Sequence, residues 1–370
     1  MVRSSAHRAN LLPGCLLLLA LLALGAGLSE FVVRWRERHR AAPPGIMPTL
    51  FYRHERLRPA LIHDQDYFGW VHTDSLGLRG RPVAVVKPPG VTRILADGGS
   101  TTFDATVTAD DSTWPAQLER ILGANHGAGS VEVLNAGVPG YAVLDNLIRL
   151  QSELYRLKPD IIILLQGHND LYYELVGFPP GDHDVPGARA PSTPWANWLA
   201  RHSLLYGKLE GIRRALATRW LSGGYVSPGR DPARADSALA SAADHFRRDL
   251  TTYVTIAKMG GARVVLVETV HVSGAREAPR DSLERRIWEN AFAGVPAEVV
   301  FRGYAEYRRV MRQVAEEQGV TFIPTATWGI EGVELFDHGD PMHLRDAGAR
   351  RFAERLAGAI DSLGLVFPPN

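Results

Sequence analysis

Several features that would narrow the function of a protein are scarce in this 370-residue chain. It has one cysteine, which excludes both a disulfide framework and a cysteine-rich zinc site. Its 41 basic residues nearly balance its 40 acidic ones, so no overall positive field would attract nucleic acid. Apolar residues make up 45% of the chain and charged residues 22%, which excludes a disordered chain, a collagen-like fibre and a polytopic membrane protein. The composition therefore indicates a globular protein with a substantial core.

The N-terminal region contains a long uncharged run. It extends from Ala9 to Ser29 and includes the leucine-rich stretch 16–22. As a helix, this run would span about 31 Å, close to the thickness of the hydrocarbon core of a bilayer. We interpret residues 1–40 as an uncleaved membrane anchor with a basic flank. A cleaved signal peptide that ends near Gly25–Gly27 is the alternative.

The rest of the chain divides into a proline-rich stretch and a longer region of alternating patterns. Residues 41–90 are rich in proline and turn residues, and we interpret them as a stalk and lead-in. Residues 91–365 are expected to form one α/β domain, because short β-branched runs alternate with amphipathic helical segments. Residues at about 178–240 interrupt this alternation and are interpreted as an insertion, either surface decoration or a lid.

Five apolar runs predict strands that are buried on both faces. With helices between them, they predict a three-layer α/β/α sandwich around a five-stranded parallel sheet. Ser112 is expected to cap the helix after the first strand, and Asp346 the last helix. The candidate strands are Arg93–Ala96, Val131–Leu134, Asp160–Leu165, Arg263–Glu268 and Val320–Ile323.

Polar residues follow these strands at their carboxyl ends, where open parallel sheets bind ligands. The first strand leads through two glycines to Ser100, the second leads to Gly137, and the third to Asn169. Asp340 and His343 come after the fifth strand. A hydroxyl, a glycine turn, a carboxamide and an imidazole with a nearby carboxylate are therefore expected at one edge. These are the components of nucleophilic acyl transfer.

Each of these residue types has a chemical reason to be there. A serine hydroxyl becomes a good nucleophile when a base removes its proton, and His343 is the candidate base for Ser100. Asp340, three residues before His343, can orient the imidazole and stabilise its charged form. The N–H groups of Ser100 and Gly137 and the side-chain amide of Asn169 are the candidate donors to the oxyanion that forms on the substrate.

In these blocks the sequence resembles the SGNH hydrolases, which are GDSL-type esterases and lipases, over roughly residues 70–365. The resemblance implies a flavodoxin-like sheet, esterase activity, and neither a metal nor an organic cofactor. The turn Asp74–Gly80 is also similar to the lead-in of membrane-tethered bacterial members. The catalytic residues that the resemblance implies are Ser100, Gly137, Asn169 and His343, with Asp340 completing the triad.

The nucleophile block departs from the family pattern at two positions. Where the family has Gly-Asp-Ser, this chain has Gly98-Gly99-Ser100, a variant that is also similar to members of the family. Asp97 occupies a position at which many relatives carry a small or apolar residue. The sequence gives no reason for this aspartate.

Residues near His343 allow two further interpretations. His338 is a rival base, with Asp337 beside it. Together, Asp337, His338, Asp340 and His343 also resemble a set of metal ligands, but no His-Glu-x-x-His pattern accompanies them. We therefore expect no metal site.

Residues near Asn169 also have more than one interpretation. His168 is expected to shape the third loop or line the pocket. Tyr172, Tyr173 and the tryptophans at 195 and 198 are suited to stacking on a sugar ring or to packing in the core or insertion.

These observations together predict a membrane-anchored serine hydrolase that acts on a small-molecule or glycan ester. The resemblance implies a small acyl group, for example an O-acetyl group on an envelope glycan, and a catalytic domain outside the cytoplasm. The basic residues that flank the apolar run give the opposite orientation when the positive-inside rule is applied literally. One alternative is an O-acyltransferase with the same triad, in which a sugar hydroxyl replaces water. The other is a non-catalytic glycan-binding or assembly protein with the same fold. No nucleic acid partner is expected.

Overall fold

The structure is a computed structural model that describes most of the chain. The predicted insertion, including Trp195 and Trp198, lies largely outside the part it describes, and the predicted stalk lies partly outside it, so the boundaries proposed for both stay predictions. The described segments are residues 11–38, 51–52, 60–61, 63–67, 69–177, 199, 203–209, 212–213 and 226–366.

The first element is a long helix, α1 (Leu11–Arg38), in the region of the uncharged run. Its stretch Leu16–Arg36 is long and apolar enough to cross a membrane, a property that membrane anchors share with signal sequences. Near the end of this stretch, Glu30 accepts hydrogen bonds of 2.9 Å from the N–H groups of both Leu204 and Leu205. These bonds join α1 to the region of the predicted insertion.

The segment before the central sheet contains two short antiparallel strand pairs. They are β1 (Phe51–Tyr52) with β2 (Ala60–Leu61), and β3 (Gln65–Tyr67) with β4 (Val71–Thr73). After them, the Arg79 N–H donates to the Asn135 carbonyl oxygen at 3.0 Å. The buried Arg79 side chain donates to the carbonyl oxygens of Phe103 and Asp104, at 2.8 and 2.7 Å. The lead-in is thereby fastened to the domain beside Ser100.

Five parallel strands form the centre of the fold. They are β5 (Thr92–Gly98), β6 (Val131–Asn135), β7 (Ile161–Leu165), β8 (Arg263–Val267) and β9 (Thr321–Ile323). Their order in the sheet is β6-β5-β7-β8-β9, which is the flavodoxin-like order. The predicted fold class is confirmed, and the ends of the five strands differ from those predicted by at most two residues.

The burial of the strands explains why their sequences are apolar throughout. All five residues of β7 are buried, since helices cover both faces of a parallel sheet. Ile163 in β7 lies in register with Ala96 on one side and Val265 on the other. Because the strands are parallel, their carboxyl ends deliver the loops after β5, β6 and β7 to a single edge.

Helices pack on both faces of the sheet. They are α2 (Ser100–Phe103), α3 (Trp114–His126), α4 (Val143–Arg149), α5 (His168–Val176), α6 (Ala235–Met259), α7 (Ser282–Ala291), α8 (Ala297–Gln318) and α9 (Asp346–Ser362). On one face α3 packs against α9, where the rings of Trp114 and Phe352 meet edge to face. On the other face α6 packs against α4, α5 and α8, and Phe246 stacks on Tyr307.

Both predicted helix caps are wrong by one residue. Thr113, not Ser112, caps α3, because the Thr113 side chain accepts the Ala116 N–H while Ser112 ends a preceding 3₁₀ turn. Arg345 precedes α9, so Asp346 is the first helical residue. The Asp346 carboxylate accepts hydrogen bonds from Thr108 instead, which ties α9 to the loop that follows α2.

Candidate active site

The chain turns sharply between the end of β5 and Ser100, and glycine makes this turn possible. Gly98 has φ +156°, and a Cβ atom there would lie 2.4 Å from the Leu165 carbonyl oxygen. Ser100 begins α2 and is only 4% exposed. At the other end of this short helix, the Asp104 N–H donates to the Ser100 carbonyl oxygen at 2.9 Å. The hydroxyl is thus presented at the start of a fixed turn.

The structure brings Ser100, His343 and Asp340 into one hydrogen-bonded row. His343 Nε2 lies 2.7 Å from Ser100 Oγ, and His343 Nδ1 lies 2.7 Å from Asp340 Oδ2. The second carboxylate oxygen, Asp340 Oδ1, accepts the N–H groups of Met342 and His343 at 2.7 and 3.0 Å. The imidazole is therefore held at both nitrogens, and the carboxylate is held by its own loop.

The charges in this row stabilise one another. Burial lowers the pKa of His343, but the negative charge and hydrogen bond of Asp340 outweigh burial, and the pKa of His343 lies above its ordinary value. Burial would raise the pKa of Asp340, but the His343 charge and the hydrogen bonds hold that pKa below its ordinary range. Asp340 is consequently ionised at neutral pH, and it favours a protonated imidazole.

Two contacts hold the loop that carries His343. Its ends pair with each other, since the Asp337 N–H donates to the His343 carbonyl oxygen at 2.8 Å. The loop is also joined to the nucleophile region, because Thr106 Oγ1 donates to the Leu344 carbonyl oxygen at 2.7 Å. The distance between base and nucleophile is thereby set by backbone contacts as well as by their own side chains.

The side-chain amide of Asn169 lies beside the nucleophile turn. Its Nδ2 donates to the Tyr141 carbonyl oxygen at 2.8 Å, which leaves the second N–H of the same group available to a ligand. A Cβ atom on Gly99 would lie 2.7 Å from Asn169 Nδ2. Glycine at position 99, where the family name has aspartate, therefore gives this amide room next to Ser100.

Gly137 also lies beside α2, but its N–H group is already engaged. It donates to the side-chain oxygen of Asn135 at 3.1 Å. An oxyanion at this position would share the donor with Asn135 or replace it. Asn169 and the first N–H of α2, on Ser100, are thus better placed to act as donors than Gly137 is.

His338 is exposed, and its Nδ1 lies 3.1 Å from the guanidinium of Arg345. His343 contacts the Ser100 hydroxyl, whereas His338 contacts a cation, which disfavours His338 both as the base and as a metal ligand. Within the residues that the structure describes, no group of three or more His, Cys, Asp or Glu side chains is arranged to hold a metal ion.

His168 lies in an aromatic cluster next to the row. Its Nδ1 is 2.5 Å from Tyr304 Oη, and its ring contacts Tyr172 and Phe292. Burial, followed by the positive charge of His343, lowers the pKa of His168 to about 4. The ring is therefore neutral at pH 7 and suited to lining a pocket.

Asp97, which the sequence left unexplained, is fully buried at the end of β5 and is bonded on both carboxylate oxygens. Oδ2 accepts the Tyr253 hydroxyl at 2.6 Å, and Oδ1 accepts the Asn146 side-chain amide at 2.7 Å. Burial raises the pKa of Asp97 to about 6 despite these donors. A carboxylate directly after the apolar residues 94–96 was the one sign of this network in the sequence, and neither Asn146 nor Tyr253 was identified as part of it.

Comparison with known proteins gives one match by sequence profile and several by structure. The profile of the GDSL-like lipase/acylhydrolase family matches residues 96–351. No curated protein sequence matches the chain. The structure is similar to that of Axe2, an acetylxylan esterase from Geobacillus stearothermophilus, with 17% identity, a TM-score of 0.43, and coverage of 74% of this chain and 96% of that chain.

A second similar structure is LAE5, described as an α/β hydrolase from the metagenome of Lake Arreo, Spain. It has 14% identity and a TM-score of 0.42, with 76% of this chain and 98% of that chain covered. A third is the acetyl xylan esterase AlAXEase, with 14% identity, a TM-score of 0.43, and coverage of 72% and 99%.

Proposed function

The chain belongs to the GDSL-like lipase/acylhydrolase family and is a carboxylic-ester hydrolase, and from this premise we propose that Ser100, His343 and Asp340 form its catalytic triad. The observation that carries the proposal is the row of hydrogen bonds through His343, with 2.7 Å to Ser100 Oγ and 2.7 Å to Asp340 Oδ2. This is the arrangement in which a base takes the nucleophile's proton while a carboxylate stabilises the resulting charge.

In the first half of the reaction, Ser100 Oγ attacks the carbonyl carbon of the ester and His343 Nε2 takes the hydroxyl proton. Negative charge develops on the former carbonyl oxygen, where the Ser100 N–H and the Asn169 side-chain amide serve as donors, and the Gly137 N–H joins them by sharing or giving up its bond to Asn135. The tetrahedral intermediate collapses, and His343 returns the proton to the departing alcohol. The acyl group is then esterified to Ser100.

In the second half, water replaces the alcohol. His343 takes a proton from water as the water oxygen attacks the acyl carbon, and the same donors stabilise the second oxyanion. Collapse releases the carboxylic acid, and the proton held by His343 returns to Ser100 Oγ. Asp340 stays ionised throughout and compensates the charge of the imidazolium.

The substrate that we propose carries a small acyl group, such as an O-acetyl group on an envelope glycan. The 4% exposure of Ser100 supports a short acyl chain, because little of this residue is open to an approaching substrate. The apolar helix α1 supports a tether at a membrane surface. We place the catalytic domain on the outer side because envelope glycans lie there.

The test uses the full chain in detergent with 4-nitrophenyl acetate, butyrate and octanoate. Hydrolysis is expected to be fastest on acetate, and Ser100→Ala is expected to reduce it roughly 10⁴-fold or more while the thermal midpoint stays unchanged. A fluorophosphonate probe is expected to label wild-type protein and not Ser100→Ala. Absence of labelling in folded wild-type protein contradicts the triad, and preference for octanoate contradicts the small acyl group.

A glycan acceptor separates hydrolysis from acyl transfer. Adding an oligosaccharide to the 4-nitrophenyl acetate assay is expected to leave free acetate as the main product. Dominant acetylation of the oligosaccharide would identify the protein as a transferase instead, since the acyl-enzyme would then react with a sugar hydroxyl in preference to water.

A further inference from the structure

A chain of buried polar groups runs beneath the candidate oxyanion site and ends at Asn169. It starts at Asp97, which receives hydrogen bonds from Tyr253 Oη, Asn146 Nδ2 and the Gly98 N–H at 2.6, 2.7 and 2.9 Å. Asp97, Asn146 and Tyr253 are each 0% exposed. The carboxylate thus has three internal donors, although it contacts neither Ser100 nor His343 among the hydrogen bonds of the described residues.

The chain of hydrogen bonds continues from Asn146 to the loop after β6. Gln166 Nε2 donates to Asn146 Oδ1 at 2.7 Å and to the Tyr141 carbonyl oxygen at 2.7 Å. The same carbonyl oxygen accepts Asn169 Nδ2 at 2.8 Å. Tyr141 therefore offers one acceptor to two amides, one in the buried chain and one facing the site.

The order of donors and acceptors along these hydrogen bonds fixes which way each side-chain amide points. Asn146 uses its nitrogen for Asp97 and for the Gly98 carbonyl oxygen, so its oxygen is left to Gln166. Gln166 uses its oxygen for the Gly167 N–H and its nitrogen for two acceptors. Turning either amide over would bring two oxygens or two N–H groups together in a buried site, which is costly.

The Tyr141 carbonyl, in turn, determines which end of Asn169 faces it. A carbonyl oxygen only accepts, so it binds Asn169 Nδ2 and rejects Asn169 Oδ1. With Nδ2 held on this side, its second N–H is directed to the oxyanion. If the carbonyl moved, the amide would be free to turn, and its oxygen would face the developing negative charge and repel it.

We propose that Asp97, Asn146 and Gln166 are positioning residues that fix the Tyr141 carbonyl and, through it, the orientation of the Asn169 amide for oxyanion binding. This inference rests on the proposed function, in which Asn169 is an oxyanion donor. It also explains Asp97. An ionised carboxylate at the end of the chain of hydrogen bonds can only accept, so the Asn146 amide must turn its nitrogen toward Asp97, and this sets the orientation of the Gln166 amide as well.

The experiment is a double-mutant cycle between Gln166→Met and Asn169→Ala in the full chain, with 4-nitrophenyl acetate as substrate. Gln166→Met keeps the length of the side chain and removes its hydrogen bonds to Tyr141, Asn146 and Gly167. It is expected to lower kcat about tenfold and to change KM less than about twofold, since the oxyanion exists only after binding. Asn169→Ala alone is expected to lower kcat about a hundredfold.

The decisive measurement is the kcat of the double variant. If Gln166 acts through Asn169, then adding Gln166→Met to Asn169→Ala lowers kcat no further. A further tenfold loss in the double variant, or an effect of Gln166→Met on KM alone, overturns the inference. If Gln166→Met does not fold, Asn146→Ala replaces it in the double-mutant cycle with Asn169→Ala.

Two comparisons separate positioning from general damage. Ile163→Val removes one methyl group from β7, the strand that ends just before Gln166, and is expected to lower the thermal midpoint with kcat unchanged. Asp97→Asn keeps an acceptor for Asn146 and is expected to have at least about fivefold higher kcat than Asp97→Leu. Equal kcat in the two Asp97 variants contradicts the inference.

The cycle also distinguishes failure of this inference from failure of the proposed function. If Asn169→Ala leaves kcat unchanged, Asn169 is not an oxyanion donor and the proposed mechanism is wrong at that point. If Asn169→Ala lowers kcat as expected while the loss from Gln166→Met is independent of it, only the positioning chain is wrong.

Discussion

A Cβ atom built on Gly137 would lie 2.1 Å from the backbone nitrogen of Phe103, so the loop after β6 packs directly against the helix that begins at Ser100. A second backbone atom, the carbonyl carbon of Thr102, would be 2.7 Å away. Neither atom can swing aside as the end of a side chain can. Glycine at this position is therefore required by the contact between two backbone segments.

Gly137→Ala is expected to be both destabilising and inactivating. The added methyl group must push the loop away from α2, which we expect to lower the free energy of unfolding by about 1–3 kcal/mol. Displacing the donors around Ser100 is expected to lower kcat about a hundredfold. Urea unfolding and hydrolysis of 4-nitrophenyl acetate measure the two effects.

The matched control for Gly137→Ala is Gly123→Ala. Gly123 lies inside α3, and a Cβ atom there would meet nothing within 4 Å. Since alanine is favoured over glycine in a helix by up to about 1 kcal/mol, this variant is expected to be as stable as wild type or more so, with full activity. Similar losses in the two glycine variants would contradict the steric argument.

His343 and His338 give opposite expectations for substitution by alanine. His343 lies between Ser100 and Asp340, so its loss is expected to reduce kcat roughly 10⁴-fold or more. His338 is exposed and contacts Arg345, so its loss is expected to change kcat less than about twofold. The two variants are compared by steady-state hydrolysis, and the reverse ranking would transfer the role of base to His338.

The pH dependence of hydrolysis follows from the charges around His343. Burial lowers the pKa of this imidazole, whereas Asp340, with smaller contributions from Asp104 and Asp337, raises it above the ordinary value of 6.5. In the proposed mechanism only the neutral imidazole acts as the base, so kcat/KM is expected to rise with pH and to reach half its maximum above pH 6.5.

Asp340→Asn tests the origin of this shift. The substitution removes the carboxylate that raises the pKa of His343 but leaves the burial that lowers it, so the half-maximal pH is expected to fall below that of wild type. The rate itself is expected to fall about 10³- to 10⁴-fold, because the asparagine amide no longer favours the imidazolium. A half-maximal pH that stays in place would show that Asp340 does not control the charge of His343.

Much of the fold was predictable because its cause is local in the sequence. The run Ile161–Leu165, with five consecutive aliphatic residues, is typical of a strand at the centre of a parallel sheet. Once such strands are located, the rule that ligands bind at their carboxyl ends places Ser100, Gly137 and Asn169 on one edge. The distances between these groups then depend only on the loops that follow the strands.

The buried chain beneath the site was not predictable, because its members are brought together by helix packing. Tyr253 belongs to an apolar stripe of α6 and looks like an ordinary core residue until its hydroxyl is seen to meet Asp97. Asn146 lies in α4, and which side of that helix faces β5 depends on its rotation about its own axis. The prediction of the α3 cap was wrong for a simpler reason. Ser112 and Thr113 are both good capping residues, and the 3₁₀ turn before α3 determines which of them is the N-cap.

Asp170 predicts how stability depends on pH. Its Oδ1 accepts the Val143 N–H at 3.0 Å, whereas its buried Oδ2 has no partner among the described residues. Burial, with a smaller contribution from Asp145, raises the pKa of Asp170 from 3.8 to about 7. Between these values the folded protein keeps a proton that the unfolded chain has released. The free energy of unfolding therefore falls as pH rises through this window.

Asp170→Asn removes this titration while keeping an oxygen for the Val143 N–H. The variant is expected to lose less stability than wild type between pH 5 and pH 8, measured by urea unfolding at both values. Asp111→Asn, which changes an exposed carboxylate, is the matched control and is expected to follow the wild-type curve. Parallel curves for wild type and Asp170→Asn would mean that Asp170 is ionised across the whole range.

Glu30 predicts that the apolar helix α1 stabilises a distant part of the chain. Its carboxylate accepts the Leu204 and Leu205 N–H groups and the Ser203 hydroxyl, and so caps the helical residues 204–209. Glu30 is the first charged residue after the uncharged run that starts at Ala9, so in the proposed tether it lies at the membrane surface. The capped segment is then held at that surface too.

Glu30→Ala is expected to weaken this cap by about 1 kcal/mol, the usual contribution of a capping side chain. In the full chain in lipid nanodiscs, the amides of Leu204 and Leu205 should then exchange with deuterium about fivefold faster, while the exchange of β7 stays the same. Arg36→Gln, on the same helix and also exposed, is the control and is expected to leave both segments unchanged. If exchange at residues 204–205 is equal in wild type and Glu30→Ala, the Glu30 carboxylate does not stabilise this segment.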